Sequence, residues 1–107
     1  MFVSHFHAEY NRRSDIYVGH RVMQALEAAQ WIKLTSAGAD LTIYAGDFNT
    51  EPSDTPYWLL RTVGRLRDSW LEVHKSEAGG QTCDTGDNTY CSMPGGLGKR
   101  IDYIMFR

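Results

Sequence analysis

An apolar stripe with helical periodicity in residues 15–34 restricts the fold more than any other stretch of the sequence. Its members recur at steps of three or four residues, which places them on one face of a helix. They are Val18, Val22, Ala25, Ala29 and Ile32. We therefore predict a helix from Asp15 to about Leu34. Ser14 suits its N-terminal cap, Gly38 suits its left-handed end, and Arg21 is left on the solvent side.

Short apolar segments on both sides of this helix predict an α/β fold. Residues 2–6 and 41–45 have the length and the β-branched and aromatic content of strands. Strand, helix and strand in this order form a βαβ unit, whose two strands lie parallel in one sheet. Further along, the sequence predicts a helix at 53–63, a long loop at 74–98 and a last strand at 100–106.

Composition restricts the class of protein. The chain has 107 residues, with 11 Lys and Arg against 13 Asp and Glu, and a formal net charge of −2. This charge gives no general attraction to nucleic acid, so no nucleic-acid partner is expected. The sequence has neither a long apolar run nor a signal peptide, so we expect the chain alone to be soluble. Cys83 and Cys91 are interpreted most simply as reduced thiols in a reducing compartment.

Chemically active residues stand near the ends of three predicted strands, in the segments Ser4–His7, Gly46–Asn49 and Arg100–Tyr103. Ligand sites of open α/β sheets lie at the carboxyl ends of strands. Asp47 can accept a proton from water, and Asn49 can donate an N–H to a phosphate oxygen. The alternative is an ordinary turn stabilised by these two side chains. Asp102 stands in an apolar strand, where a carboxylate needs a partner, either in a site or in an edge-strand ion pair.

The first of these segments also allows a metal site. If residues 5–9 are extended, His5, His7 and Glu9 share one face and form the ligand set of a zinc site. The alternative is that one of them faces a cleft and the others are solvated. His20 is interpreted as structural or exposed. The three tryptophans are interpreted as packing residues: Trp31, Trp58 and Trp70.

The three segments, in this order, resemble the endonuclease/exonuclease/phosphatase superfamily of Mg²⁺-dependent phosphodiesterases. Within it, residues 5–12, with Asp15-Ile16-Tyr17 and His20-Arg21, resemble the neutral sphingomyelinases. The resemblance runs nearly end to end. It implies an α/β fold of the deoxyribonuclease-I type, a four-layer sandwich of two sheets between helices. Residues 1–107 are then expected to be a partial catalytic domain of this superfamily, incomplete at both ends.

The resemblance also implies roles for five residues. His5 would stabilise the pentavalent phosphate or the leaving oxygen, and His7 would bind substrate. Asp47 would orient or deprotonate the attacking water and would be a weak ligand of Mg²⁺. Asn49 would bind a phosphate oxygen, and Asp102 would orient a catalytic histidine.

Two parts of the superfamily's site have no counterpart in these 107 residues, the main metal-binding Glu and the final catalytic His. We therefore expect the isolated chain to be inactive and its partners to include the missing flanks of the same domain. The resemblance implies that the parent hydrolyses sphingomyelin to ceramide and phosphocholine with Mg²⁺, at a membrane surface and facing the cytoplasm. An inositol-polyphosphate phosphatase, a nuclease and a non-enzymatic remnant are the alternatives. An uncovered edge of the incomplete sheet predicts poor solubility or self-association.

Overall fold

The computed structural model describes residues 1–83 and 98–107. Its helices and strands, in chain order, are β1 (Phe2–His5), α1 (Val18–Thr35), β2 (Ile43–Asp47), α2 (Thr55–Thr62), β3 (Arg67–Asp68), α3 (Ser69–His74) and β4 (Asp102–Phe106). The predicted α/β class is confirmed. The sequence pattern does not distinguish β3 and α3, because elements of two and six residues are too short to show a period.

The described strands form one sheet in the order β1-β2-β4-β3. β1 and β2 run parallel and are connected through α1, so the predicted βαβ unit is confirmed. β4 runs antiparallel to β2 on one side and to β3 on the other. The last strand of the chain is therefore a central strand of this sheet, which accounts for its apolar sequence.

The beginning of α1 differs from the prediction. The helix begins at Val18, and Tyr17 occupies the cap position without a side-chain hydrogen bond. Ser14 lies in a preceding 3₁₀ turn, and the Asp15 carboxylate accepts the backbone N–H of Tyr17. Asp15 also pairs with Arg21, whose side chain is buried at 2% exposure, so its prediction as a solvent-facing residue is wrong. A buried guanidinium requires such a carboxylate partner, and apolar periodicity does not show one.

The core lies between the sheet and helices α1 and α2. The predicted stripe of α1 is confirmed at Ala25, Ala29 and Ile32, which are fully buried, whereas Val18 is 45% exposed. The remaining buried apolar residues come from α2, the strands and the adjoining turns: Phe6, Tyr44, Phe48, Tyr57, Leu60, Leu66, Tyr103 and Met105. Gly38 has a φ of 84°, in agreement with its predicted role at the end of the helix.

Two of the tryptophans do not pack as predicted. Trp31 and Trp58 are 60% and 51% exposed, respectively. Trp31 precedes the buried Ile32 by one residue, and one step turns a helix by about 100°, so Trp31 lies outside the buried stripe. Large apolar side chains therefore remain on the surface of α1 and α2.

The other face of the sheet, which we call the open face because large apolar side chains are exposed on it, carries an apolar row. The register pairs Val3 with Ala45 and Ala45 with Ile104, so these three side chains lie side by side on the face opposite Tyr44 and Tyr103. Val3 and Ile104 are 70% and 58% exposed. An apolar sheet face of this kind is typical of a layer that packs against a further layer.

The connection between α3 and β4 is described at its two ends. Cys83 and Lys99 form an isolated antiparallel β-bridge. The segment 84–97, with Cys91 and most of the loop predicted at 74–98, lies outside the described residues. Cys83 is disulfide-bonded, so the interpretation of both cysteines as reduced thiols is wrong. The β-bridge between Cys83 and Lys99 joins residues that are distant in the sequence, so the number of cysteines alone does not predict the surroundings of Cys83.

Candidate active site

Three of the residues singled out in the sequence form one row across the sheet. The register pairs His5 of β1 with Asp47 of β2, and Asp47 with Asp102 of β4. The row lies on the open face, at the end where both parallel strands finish, as expected for a ligand site in an α/β sheet. The Nε2 atom of His5 and the Oδ2 atom of Asp47 are 3.5 Å apart. The structure therefore brings together an imidazole and two carboxylates from three different strands.

Gly46 allows β1 and β2 to approach closely beside this row. Its φ of 149° is unfavourable for other residues, and a Cβ atom at this position would lie 1.9 Å from the carbonyl oxygen of Ser4. No side chain larger than hydrogen fits between the strands without moving backbone. The glycine of the Gly46–Asn49 segment therefore sets the distance between His5 and Asp47.

Asn49 connects the end of β2 to the end of β1. Its backbone N–H donates to Oδ1 of Asp47 over 2.8 Å, and its side-chain Nδ2 donates to the carbonyl of Phe6 over 2.9 Å. Asn49 has a φ of 45°, a conformation that asparagine tolerates better than most residues. A carboxamide nitrogen has two hydrogens, so one remains for the predicted contact with a phosphate oxygen. Both the turn interpretation and the ligand interpretation are compatible with this arrangement.

Burial raises the pKa of the Asp47 carboxyl above its ordinary value. The N–H of Asn49 and the imidazole of His5 oppose this shift, and the neighbouring carboxylate of Asp102 adds to it. Asp47 is only 31% exposed, whereas His5 is 71% exposed. A half-buried carboxylate with a raised pKa is a better proton acceptor than a solvated one, which suits the activation of a water molecule.

The open face is concave at Asp47 and Asp102. A pocket of about 410 Å³ is lined by Asp47, Asp102, Trp70, Thr82 and Arg100, among others. The Thr82 hydroxyl oxygen accepts the backbone N–H of Asp102 over 3.1 Å, which fixes the start of β4. Thr82 was not singled out from the sequence because it stands in a loop without a recognisable pattern.

His7 does not belong to the row. β1 ends at His5, so the alternation that would place His5, His7 and Glu9 on one face stops there. His7 stacks on Tyr17, and Glu9 pairs with Arg12 at 2.9 Å. The structure therefore does not bring together the three ligands of the zinc hypothesis.

The described residues do not make a complete magnesium site. Mg²⁺ prefers oxygen ligands, usually one or two carboxylates together with substrate phosphate. Asp47 supplies one carboxylate, and Asp102 supplies a second at the neighbouring register position. Within residues 1–83 and 98–107, no group of three or more His, Cys, Asp or Glu side chains is arranged to hold a metal ion.

A buried ion pair behind the row was not anticipated. Arg100 and Asp68 are 6% and 1% exposed, and Nη1 of Arg100 lies 2.7 Å from Oδ2 of Asp68. The Tyr57 hydroxyl donates to the same Oδ2 atom, and burial together with the carboxylate raises the pKa of Tyr57 to about 12. Arg100 stands two residues before Asp102. The sequence shows Arg100 as a charged residue before an apolar strand, which indicates that it needs a partner. It does not show that this partner is Asp68, which lies 32 residues earlier.

The sequence matches the Endonuclease/Exonuclease/phosphatase family over residues 2–107, and the chain belongs to this family. In the structural comparison, the catalytic domain of human Nocturnin with bound sulfate superimposes with a TM-score of 0.63 and 21% identity, covering 97% of this chain and 33% of that one. This likeness shows the fold. The predicted α/β fold of the deoxyribonuclease-I type is confirmed.

The relatives within the family are enzymes of sphingolipid hydrolysis by name. Human Sphingomyelin phosphodiesterase 2 is 42% identical over 112 residues, which are 99% of this chain and 26% of the human protein. The fission yeast Inositol phosphosphingolipids phospholipase C is 28% identical over 127 residues, 97% of this chain and 30% of the yeast protein. A putative neutral sphingomyelinase of Caenorhabditis elegans is 37% identical over 123 residues, 99% of this chain and 28% of that protein, so the resemblance to neutral sphingomyelinases is confirmed. The chain spans roughly a quarter of the length of these relatives.

Proposed function

We propose that this chain is the part of a Mg²⁺-dependent sphingolipid phosphodiesterase that holds the phosphate and activates the attacking water. The parent would hydrolyse sphingomyelin to ceramide and phosphocholine. The row of His5, Asp47 and Asp102 is the observation that carries the proposal, because it gathers the residues of three separate motifs at one end of the sheet. The names of the relatives support a phosphodiester of a sphingolipid as the substrate.

The reaction needs a proton acceptor and hydrogen-bond donors around one phosphorus atom. Asp47 would take a proton from the water whose oxygen forms the new bond to phosphorus, while the bond from phosphorus to the ceramide oxygen breaks. His5, which is exposed beside Asp47, would donate to a phosphoryl oxygen or to the leaving oxygen. Asn49 would donate its second amide hydrogen to another phosphate oxygen. Mg²⁺, when bound, would neutralise part of the phosphate charge.

The substrate is a lipid, so the reaction would take place at a membrane surface. In the described part of the chain, no helix is both long and apolar enough to cross a membrane. The resemblance predicts a site that faces the cytoplasm. A disulfide at Cys83 is typical of an oxidising compartment and not of the cytoplasm. Whether Cys83 is oxidised or reduced in cells therefore shows on which side of the membrane this part of the protein lies.

The proposal is tested by the release of phosphocholine from sphingomyelin in detergent micelles, with Mg²⁺ and with EDTA. In the parent, Asp47→Asn should lower the rate by about 10²–10⁴-fold, the usual contribution of a positioned proton acceptor. Asp40→Asn is the matched control, because Asp40 is an exposed aspartate outside the sheet, and it should leave the rate unchanged. Full activity of Asp47→Asn would refute the proposed role.

The identity of the headgroup and the completeness of the site are tested in the same assay. An inositol phosphosphingolipid, an inositol polyphosphate and abasic DNA replace sphingomyelin in turn, and faster cleavage of any of these would favour that alternative. The 107-residue chain itself should show no hydrolysis that depends on Mg²⁺, because its described residues do not complete the metal site. Activity of the pure chain that is lost in Asp47→Asn would contradict this expectation, whereas an inactive parent would favour the non-enzymatic remnant.

A further inference from the structure

Four aromatic side chains form a second cluster, outside the core and beside the catalytic row. The rings of His7 and Tyr17 stack at a centroid distance of 4.2 Å. Tyr10 stands nearly perpendicular to both, at 5.9 Å from His7 and 5.8 Å from Tyr17. His20 completes the group at 5.4 Å from His7 and 5.7 Å from Tyr17. We call these four residues the aromatic cluster.

The aromatic cluster is accessible to a ligand. Tyr10 is 73% exposed, and His20 is exposed as well, whereas the aromatic rings of the core are nearly completely buried. A large exposed aromatic side chain contributes little to folding, because it removes little apolar surface from water. The exposed ring of Tyr10 beside a stacked pair of rings is therefore free to contact a ligand.

The aromatic cluster is held in a defined position. The backbone N–H of His7 donates to Oε1 of Gln24 over 2.9 Å, and Nη1 of Arg21 donates to the carbonyl of His7 over 3.4 Å. Both partners belong to α1, which packs on the sheet. The backbone of His7 is therefore anchored to α1.

A pocket connects the aromatic cluster to the catalytic row. It has a volume of about 360 Å³, and its walls include His5, His7, Tyr10 and Gln24. His5 is the first member of the row, and His7 and Tyr10 belong to the aromatic cluster. A ligand that fills this pocket would contact both at once.

The charged side chains near the aromatic cluster are paired with one another. Glu9 pairs with Arg12 at 2.9 Å and with Lys99 at 3.5 Å, and Asp15 pairs with Arg21. Attraction for a cation would therefore come from the faces of the rings rather than from an unpaired carboxylate. A quaternary ammonium group has no N–H to donate, and aromatic faces are the surfaces that recognise it.

We propose that the aromatic cluster binds the quaternary ammonium group of a choline headgroup while its phosphate lies at the catalytic row. This inference rests on the proposed function for the position of the phosphate. The two-carbon chain between phosphate and ammonium in phosphocholine would run through the shared pocket. The aromatic cluster would thus favour choline over neutral headgroups such as inositol.

Tyrosine ring resonances in NMR spectra of the chain test this inference. Choline chloride, phosphocholine and inositol phosphate are titrated in turn, and inorganic phosphate is titrated as a separate probe of the row. Choline and phosphocholine should shift the resonances of Tyr10 and Tyr17, and inositol phosphate should not. Tyr10→Leu should weaken choline binding about fivefold, which corresponds to about 1 kcal/mol for one cation–π contact. Tyr10→Phe keeps the ring and should bind as tightly as the original chain.

Tyr10 is chosen because it is largely exposed, so its replacement leaves the core intact. Trp58→Leu is the control, since Trp58 is an exposed aromatic residue on α2, outside the aromatic cluster. Choline that shifts neither tyrosine, or that binds Tyr10→Leu unchanged, overturns the inference. If phosphate shifts His5 while choline has no effect, the proposed function survives and this inference fails. If choline binds and phosphate does not, the inference about the cation holds and the proposed function is weakened.

Discussion

Removing the Asp68 carboxylate is expected to be among the most damaging single changes in this chain. In Asp68→Ala the guanidinium of Arg100, which is 5% exposed, remains buried without its fully buried partner. Breaking a buried ion pair in this way costs about 3–5 kcal/mol. Asp68 also accepts the N–H of Trp70 at the start of α3, and loss of such a cap costs about 1 kcal/mol. The sum of about 4–6 kcal/mol is comparable with the whole stability of a small domain, about 5–15 kcal/mol.

Glu77→Ala is a matched control, because Glu77 contacts the same guanidinium from the solvent side. Its Oε2 atom lies 2.5 Å from Nη2 of Arg100, but its side chain is 47% exposed. Because the Glu77 carboxylate is half exposed, water can replace it as a partner of the guanidinium, and Glu77→Ala should cost less than removal of the buried Asp68 carboxylate. The free energy of unfolding is measured by urea denaturation, and Asp68→Asn provides a milder variant in case Asp68→Ala does not fold. Equal losses for Glu77→Ala and the Asp68 variants would refute the reasoning that burial decides the value of these contacts.

Three further predictions follow from contacts near the site. Gly46→Ala should lower the free energy of unfolding and broaden the resonances of His5, because its Cβ would lie 1.9 Å from the Ser4 carbonyl oxygen and force β1 away. A variant with unchanged stability and unchanged His5 resonances would contradict this. Burial alone would raise the pKa of Asp54, but hydrogen bonds from Arg12 hold it below its ordinary value of 3.8. The ionised Asp54 carboxylate therefore stabilises the fold above its ordinary pKa, and this contribution is lost as the pH falls through the lower native pKa. In Asp54→Asn the urea denaturation midpoint should therefore depend less on pH in this acidic range. A reducing agent should lower the melting temperature of the chain through the disulfide of Cys83, and an unchanged melting temperature would argue against a structural role for it.

Local periodicity was sufficient for the architecture around α1. Steps of three and four residues located the buried stripe, and the alternation of strand, helix and strand predicted the parallel pair β1 and β2. The rule that sites lie at the carboxyl ends of strands predicted a site at Asp47 and Asn49. The row of His5, Asp47 and Asp102 was not predicted, because the register that pairs them is known only from the fold.

These rules do not predict contacts between charged residues that are far apart in the sequence. Arg21 was assigned to solvent because a charged residue in an amphipathic helix normally is exposed, and only the fold shows that Asp15 covers it. The pairing of Asp68 with Arg100 joins β3 to the segment before β4, and neither residue lies in a periodic segment. Secondary-structure propensity depends on residues that are close in the sequence, whereas these charged partners come close only in the folded chain.

The same strands carry the row of His5, Asp47 and Asp102 and the apolar row of Val3, Ala45 and Ile104, and this arrangement connects the fold with the chemistry. Each apolar residue stands two positions from a member of the row, so both rows face the same open side of the sheet. A further layer packed on the apolar row would exclude water beside Asp47 and Asp102. In a less polar surrounding, the repulsion between two carboxylates and their attraction for a divalent cation both become stronger. A covering layer and the proposed metal ion would therefore act on the same face of the sheet.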